Sequence, residues 1–189
     1  MGFFYFYRME IRQYLDSTYL KKPKQAGLTK AENLEVVKGF IQEAIDEKFK
    51  LIMIRPNMVA LAKEMILAQQ SKVTVGTVID FPEGSSGVED KLSEAQKAIR
   101  DGADDLDFVI DYEAFKQGEF DLVKQQVLEC TKLGLAHHKI VKWIIEVAAL
   151  NEHQIVQLTA LIKNVVVANF KEDCYDSVFV KSSTGFYQT

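Results

Sequence analysis

Val178-Phe179-Val180-Lys181-Ser182-Ser183-Thr184-Gly185-Phe186 is the stretch whose reading decides the fold. Three consecutive apolar residues, two of them β-branched, read as a buried strand. That strand ends in Lys181, and small hydroxylated residues and a glycine follow it. Burying an ammonium is costly unless its pKa falls or it finds a partner. A lysine held neutral is a nucleophile toward carbonyls. Taken alone, the stretch is better read as a lysine that snorkels into water at a strand end, since strand-end lysines are common and solvated. The rest of the chain has to decide.

Moving outward, Ile140-Val141-Lys142-Trp143-Ile144-Ile145-Glu146 is another strand, with Lys142 inside it and Glu146 near its end. Leu106-Asp107-Phe108-Val109-Ile110 places Asp107 between apolar neighbours. Val73 to Ile79 and Lys50 to Ile54 are further strands, the second stopped by Arg55-Pro56-Asn57. Near the start, Ile11 to Leu20 reads as a short helix leading into a strand, with Asp16 in an apolar surround and best taken by itself as a turn or cap residue.

Helices separate these runs. Thr29 and Glu32 form a capping box, and Leu34, Val37, Ile41 and Ile45 then recur at helical spacing. Val59, Ala62, Met65 and Ile66 mark a helix from Met58 to about Gln70. Another runs from Val88 to about Asp101 and ends at Gly102. Leu122, Val123, Val127 and Leu128 face inward on a helix around Asp121 to Leu133, and Asn151 with Gln154 caps one reaching about Asn164.

Strand alternates with helix, and each strand is a nearly unbroken apolar run, as in parallel sheets covered on both faces. No dinucleotide-binding fingerprint follows the first strands, which argues against an open doubly wound sheet. Asp107, Lys142, Glu146 and Lys181 lie within strands or at their C-terminal ends, where a barrel carries its active site. The fold class expected is α/β, a (β/α) TIM-type barrel, as a single domain over residues 1–189.

Composition narrows the function. With 48% hydrophobic and 26% charged residues the chain is an ordinary soluble globular protein. A net charge of -4 with dispersed lysines argues against nucleic acid as a partner. No stretch has the length of a membrane span. Cys130 and Cys174 have neither disulfide-framework nor zinc spacing, so a reducing cytoplasm is the expected location. The aromatic run before Met9 is too short for a signal-peptide core, and Phe6 breaks the myristoylation pattern. Met9 reads as the more natural start, with that run an extension packed on the body. His137, His138 and His153 read as solvated surface. The loop Asp80-Phe81-Pro82-Glu83-Gly84-Ser85-Ser86-Gly87 lacks any phosphate-loop spacing and reads as a plain strand-to-helix connection.

An amine, a carboxylic acid and a second ammonium on neighbouring strands suit Schiff-base chemistry. Lys181 would attack an aldehyde or ketone, and the iminium would serve as electron sink while a carbon–carbon bond breaks or forms. Asp107 would move protons on and off oxygen. Lys142 would lower the pKa of a neighbouring amine and stabilise charged intermediates. This chemistry calls for neither a metal nor an organic cofactor.

Together these stretches resemble deoxyribose-phosphate aldolases, the Schiff-base aldolases that interconvert 2-deoxyribose 5-phosphate with acetaldehyde and glyceraldehyde 3-phosphate. The resemblance is carried by Tyr14-Leu15-Asp16-Ser17-Thr18-Tyr19-Leu20, Val75 to Gly84, Asp101 to Asp107, Lys139 to Glu146 and Val180 to Phe186, and covers about Ile11 to Phe186. It implies a (β/α)-barrel with Lys181 as Schiff-base lysine, Asp107 as proton-transferring acid, and Lys142 and Asp16 in the supporting polar network. It implies aldehyde and sugar-phosphate substrates and a cytoplasmic setting.

The resemblance also implies two further strands, one with a second lysine that tunes the nucleophile, and after both of them loops that bind phosphate. Only about six of the eight βα units of a full barrel can be counted here. Two sheet edges are therefore expected to be open, with a homo-oligomer or another chain covering them. Lys142 would stand in part for the absent lysine. The alternatives are an impaired or non-catalytic partial barrel that folds by association, and a Schiff-base aldolase for a longer keto acid.

Overall fold

The expected apolar runs form one parallel sheet in the computed structural model, which describes residues 10–188. The strands are β1 (Asp16–Tyr19), β2 (Leu51–Ile54), β3 (Thr74–Ile79), β4 (Asp105–Val109), β5 (Ile140–Ile144) and β6 (Val178–Lys181). They lie side by side in chain order, every pair parallel. The connecting helices are α1 (Pro23–Ala26), α2 (Lys30–Asp46), α3 (Val59–Ala68), α4 (Val88–Asp101), α5 (Tyr112–Lys116), α6 (Phe120–Ala136) and α7 (Glu152–Asn169). The aromatic run before Met9, expected to be an extension packed on the body, lies outside the described residues.

The two faces of the sheet differ. Ile52, Ile54, Val75, Leu106, Phe108, Val141 and Trp143 point into the main core, shared with Val37, Ile41, Ala95, Val127 and Leu158 of the helices. Fully burying one such side chain contributes about 1.5–3 kcal/mol. The opposite, inner face carries only a small apolar cluster of Leu20, Leu51, Met53 and Val78. Strand alternation therefore sends every second residue of β4 and β5 to this inner face: Asp105 and Asp107 from β4, Lys142 from β5. Trp143, on the helix side, stacks on Phe108 at 5.1 Å and donates Nε1–H to Thr131 Oγ1 at 3.0 Å. Close packing of α6 onto β5 needs a residue without Cβ at Gly134, where an added Cβ would lie 2.3 Å from Val141 Cγ2.

The capping boxes at Thr29/Glu32 and Asn151/Gln154 are present. Helix α6 runs three residues further than Leu133, and α7 five beyond Asn164, because Val165 and Val166 still pack against the core. The last strand departs from expectation. Phe179 and Val180 are 47% and 41% exposed rather than buried, because β6 has a strand neighbour on one side only. β1 is the other edge, flanked by exposed Tyr14 and Leu15. Among the described residues the sheet is open, not closed into a barrel.

Candidate active site

The register of β4, β5 and β6 sets the site. Asp107 lies level with Lys142, and Ile144 with Lys181. Lys181, at the end of β6, is thus one step nearer the C-terminal rim than Lys142 and reaches over β5 toward β4. Its Nζ lies 2.7 Å from Asp107 Oδ2. Lys142 Nζ lies 2.7 Å from Asp105 Oδ2 and 3.3 Å from Asp107 Oδ1. The Asp107 side chain is fully buried, that of Lys142 is 16% exposed, and that of Lys181 is 33% exposed. The amine nearest to solvent is therefore the one a substrate can reach. Asp107 Oδ1 is buried without a hydrogen bond meeting full geometry, so one oxygen of the central acid remains available as an acceptor.

Burial opposes charge on Lys142, but the Asp107 and Asp105 carboxylates outweigh it and raise its pKa, holding it as an ammonium. Burial pushes the Asp105 carboxyl up, further than Lys142 pulls it down, and the charges of Asp107 and Asp16 add to the rise. Two acids beside two lysines on one face of the sheet form a proton-rich network whose members differ in solvent access.

Of the residues singled out in the sequence, the structure brings together Lys181, Asp107 and Lys142. Asp16 does not sit within an apolar surround: it is exposed at the start of β1, where the edge strand leaves it open to water, and it makes no ion pair among the described residues. Its charge still reaches Asp105 and Lys142 through space. Asp105 was missed by sequence reasoning, although its i, i+2 relation to Asp107 within a strand is the signal that both share a face. The three histidines are exposed, as expected.

The rim is built from buried polar contacts. Glu146, fully buried, accepts hydrogen bonds from the Thr184 backbone N–H at 3.0 Å and from its hydroxyl, which fixes the chain just beyond Lys181. The Asp80–Gly87 loop is more than a plain connection. Asp80 accepts from Ser86 N–H and Oγ, and from Lys91 Nζ at 2.5 Å. Lys91 is completely buried and also donates to the carbonyls of Gly84 and Val109. It thereby ties the loop to the end of β4, two residues beyond Asp107. Gly84, at φ +69°, comes so close to β4 that a Cβ would lie 2.4 Å from the Ile110 carbonyl oxygen.

A parallel βα sheet with a lysine–carboxylate network near the C-terminal ends of its strands has the layout of an enzyme of the βα-barrel class. The model of the DeoC/LacD family aldolases matches residues 12–185. The chain belongs to this family of aldolases. It is similar to the deoxyribose-phosphate aldolase of Thermococcus gammatolerans, with 36% identity over 178 residues, 94% of this chain and 71% of that protein. Among solved structures it is similar to QR15, an aldolase, with a TM-score of 0.76 and 28% identity over 94% of this chain and 70% of that one. The tetrameric deoxyribose phosphate aldolase of Aeropyrum pernix has the same fold, with a TM-score of 0.75 at 24% identity, over 95% of this chain and 66% of that one. Six parallel strands thus superpose on a barrel of greater length.

Proposed function

We propose that the chain catalyses the reversible aldol cleavage of 2-deoxyribose 5-phosphate to acetaldehyde and glyceraldehyde 3-phosphate through a Schiff base on Lys181. The observation that carries this reading is the 2.7 Å contact between Lys181 Nζ, the most accessible amine of the network, and buried Asp107. In the synthetic direction the free amine of Lys181 attacks the acetaldehyde carbonyl carbon, and a nitrogen proton passes by way of Asp107 to the oxygen, giving the neutral carbinolamine. Asp107 in its acid form then protonates the hydroxyl, which leaves as water while the nitrogen lone pair closes the iminium. The Asp107 carboxylate so formed takes a proton from the methyl carbon to give the enamine, which attacks the second aldehyde, and the new alkoxide takes that proton from Asp107. Water adds to the product iminium, returning a proton to Asp107, and collapse of the carbinolamine frees product and lysine. Lys142, fixed as an ammonium by Asp105, stabilises the Asp107 carboxylate each time that acid gives up its proton. Asp16 acts on this network through its charge alone.

Family membership supports the aldolase chemistry, and the names of the relatives support the deoxyribose phosphate substrate. The open edges at β1 and β6, together with the tetrameric relative, support a homo-oligomer. A cytoplasmic setting fits the two free thiols and the lack of any helix long and apolar enough to cross a membrane among the described residues.

The test is borohydride trapping with acetaldehyde, followed by intact mass and peptide mapping, in the wild type and in Lys181→Ala. A reduced adduct at Lys181, absent from the variant, is expected. A folded wild-type protein that gives no adduct would favour the alternative, an impaired or non-catalytic partial barrel that needs association with another chain.

A further inference from the structure

Four cations surround one cavity outside the lysine–carboxylate network. It has a volume of about 440 Å³ and lies between the C-terminal ends of β1 and β2 and the start of α2. Lys21, Lys22 and Lys30 line it together with Arg55, and no acidic residue does. Among the described residues none of the four forms a salt bridge. By contrast Lys38, Lys63, Lys91, Lys97, Lys116, Lys124, Lys142 and Lys181 each have a carboxylate partner, in a chain of net charge -4. The carboxylates nearest in their effect on Arg55 are Glu83 and Glu94, which lie outside the lining. The cavity is therefore a concentrated positive field that the protein itself leaves unneutralised.

Its other walls specify more than a simple ion. Asn33 is only 4% exposed. Its Oδ1 accepts the Tyr19 hydroxyl at 2.8 Å, while its amide nitrogen donates to nothing among the described residues. Asn33 lines the cavity, so this nitrogen is a donor that a ligand there can engage. Arg55 commits two of the five N–H donors of a guanidinium, to the carbonyls of Leu20 and Phe81, and Phe81 covers one face at 4.7 Å. The remaining donors stay fixed in direction at the cavity wall. Tyr19, Val37 and Met58 supply an apolar surface beside these groups.

We propose that this cavity is a second ligand site, for a phosphate monoester that carries a flat apolar body. The phosphate would take the three lysines and the free guanidinium donors, and the body would lie over Tyr19, Val37 and Met58 with Asn33 donating to one of its acceptors. None of these residues belongs to the inner-face network, so occupancy is independent of the Schiff-base chemistry.

The test is calorimetric titration at low and physiological salt with three probes: adenosine 5′-monophosphate, adenosine and inorganic phosphate. Wild type is compared with the double variant Lys22→Glu/Lys30→Glu and with Lys181→Ala. Both lysines of the double variant are exposed, so folding should be retained, with circular dichroism as the check. Saturable binding of the monophosphate is expected, weaker at higher salt and weakened at least about tenfold in the double variant. It should be unchanged in Lys181→Ala, and the nucleoside and inorganic phosphate should each bind less tightly. No saturable binding, binding that survives charge reversal, binding lost with Lys181, or inorganic phosphate binding as tightly as the monoester would each overturn the proposal.

Discussion

Lys181 meets Asp107 across an intervening strand: the two side chains come within 2.7 Å although β5 separates β6 from β4. That contact needs a long side chain rising from a rim position and a carboxylate one level deeper. Replacing Asp107 by Asn keeps the shape and removes proton transfer. Turnover of Asp107→Asn should fall by about 10²–10⁴-fold, measured by steady-state kinetics. Wild-type turnover in this variant would remove Asp107 from the mechanism.

Lys142 bonds Asp105 and approaches Asp107, so losing its charge leaves two buried carboxylates without their shared cation. Lys142→Met should lose about 3–5 kcal/mol in urea unfolding. Adding Asp105→Asn should recover part of the loss, since the pair then reduces to a single acid. Equal stability of the single and double variants would show that Asp105 and Lys142 are not energetically coupled.

The buried Lys91–Asp80 pair predicts a particular acid response. Burial opposes the Asp80 charge, but Lys91 and Ser86 overcome it and lower its pKa. A carboxylate with a depressed folded pKa contributes stability that is present above its unfolded value, here 3.8, and lost as pH falls through the folded value. Stability of the wild type should therefore decline with acidification below about pH 4, and Asp80→Asn should flatten that limb. An unchanged acid slope in urea midpoints against pH would contradict the assignment.

The two thiols should differ in reactivity. Burial pushes Cys130 up to about 12, and it is wholly enclosed by the core, whereas Cys174 is partly exposed. Iodoacetamide at neutral pH should give one adduct on the native protein, at Cys174, and two in denaturant, read by mass. Native labelling at Cys130 would mean that α6 opens readily from the sheet.

Much of this arrangement was legible in the residues because strands covered by helices are written as apolar runs, and a charged residue inside such a run stands out. Asp107, Lys142 and Lys181 announced themselves in this way. Asp105 did not, since an acid at the first position of a strand looks like part of the preceding turn. Lys91 was hidden for a different reason: in an amphipathic helix a lysine reads as solvent-facing, and only the approach of Asp80 from another element makes its burial affordable. The edge position of β6 was also invisible, because an apolar Val-Phe-Val run has the same appearance whether or not a neighbour covers it.

Each strand pairs with the one made just before it, so the sheet can extend in the order of synthesis without waiting for a distant segment. Helix-side packing around Trp143, the single tryptophan, is complete once β4, β5 and α6 have docked. The Lys181–Asp107 contact, spanning 74 residues, requires β6 as well. Competence for chemistry is then acquired only after the packing around Trp143 is complete. In a refolding experiment, indole fluorescence should recover no later than the ability to form the trapped adduct, and an adduct forming first would reverse that order.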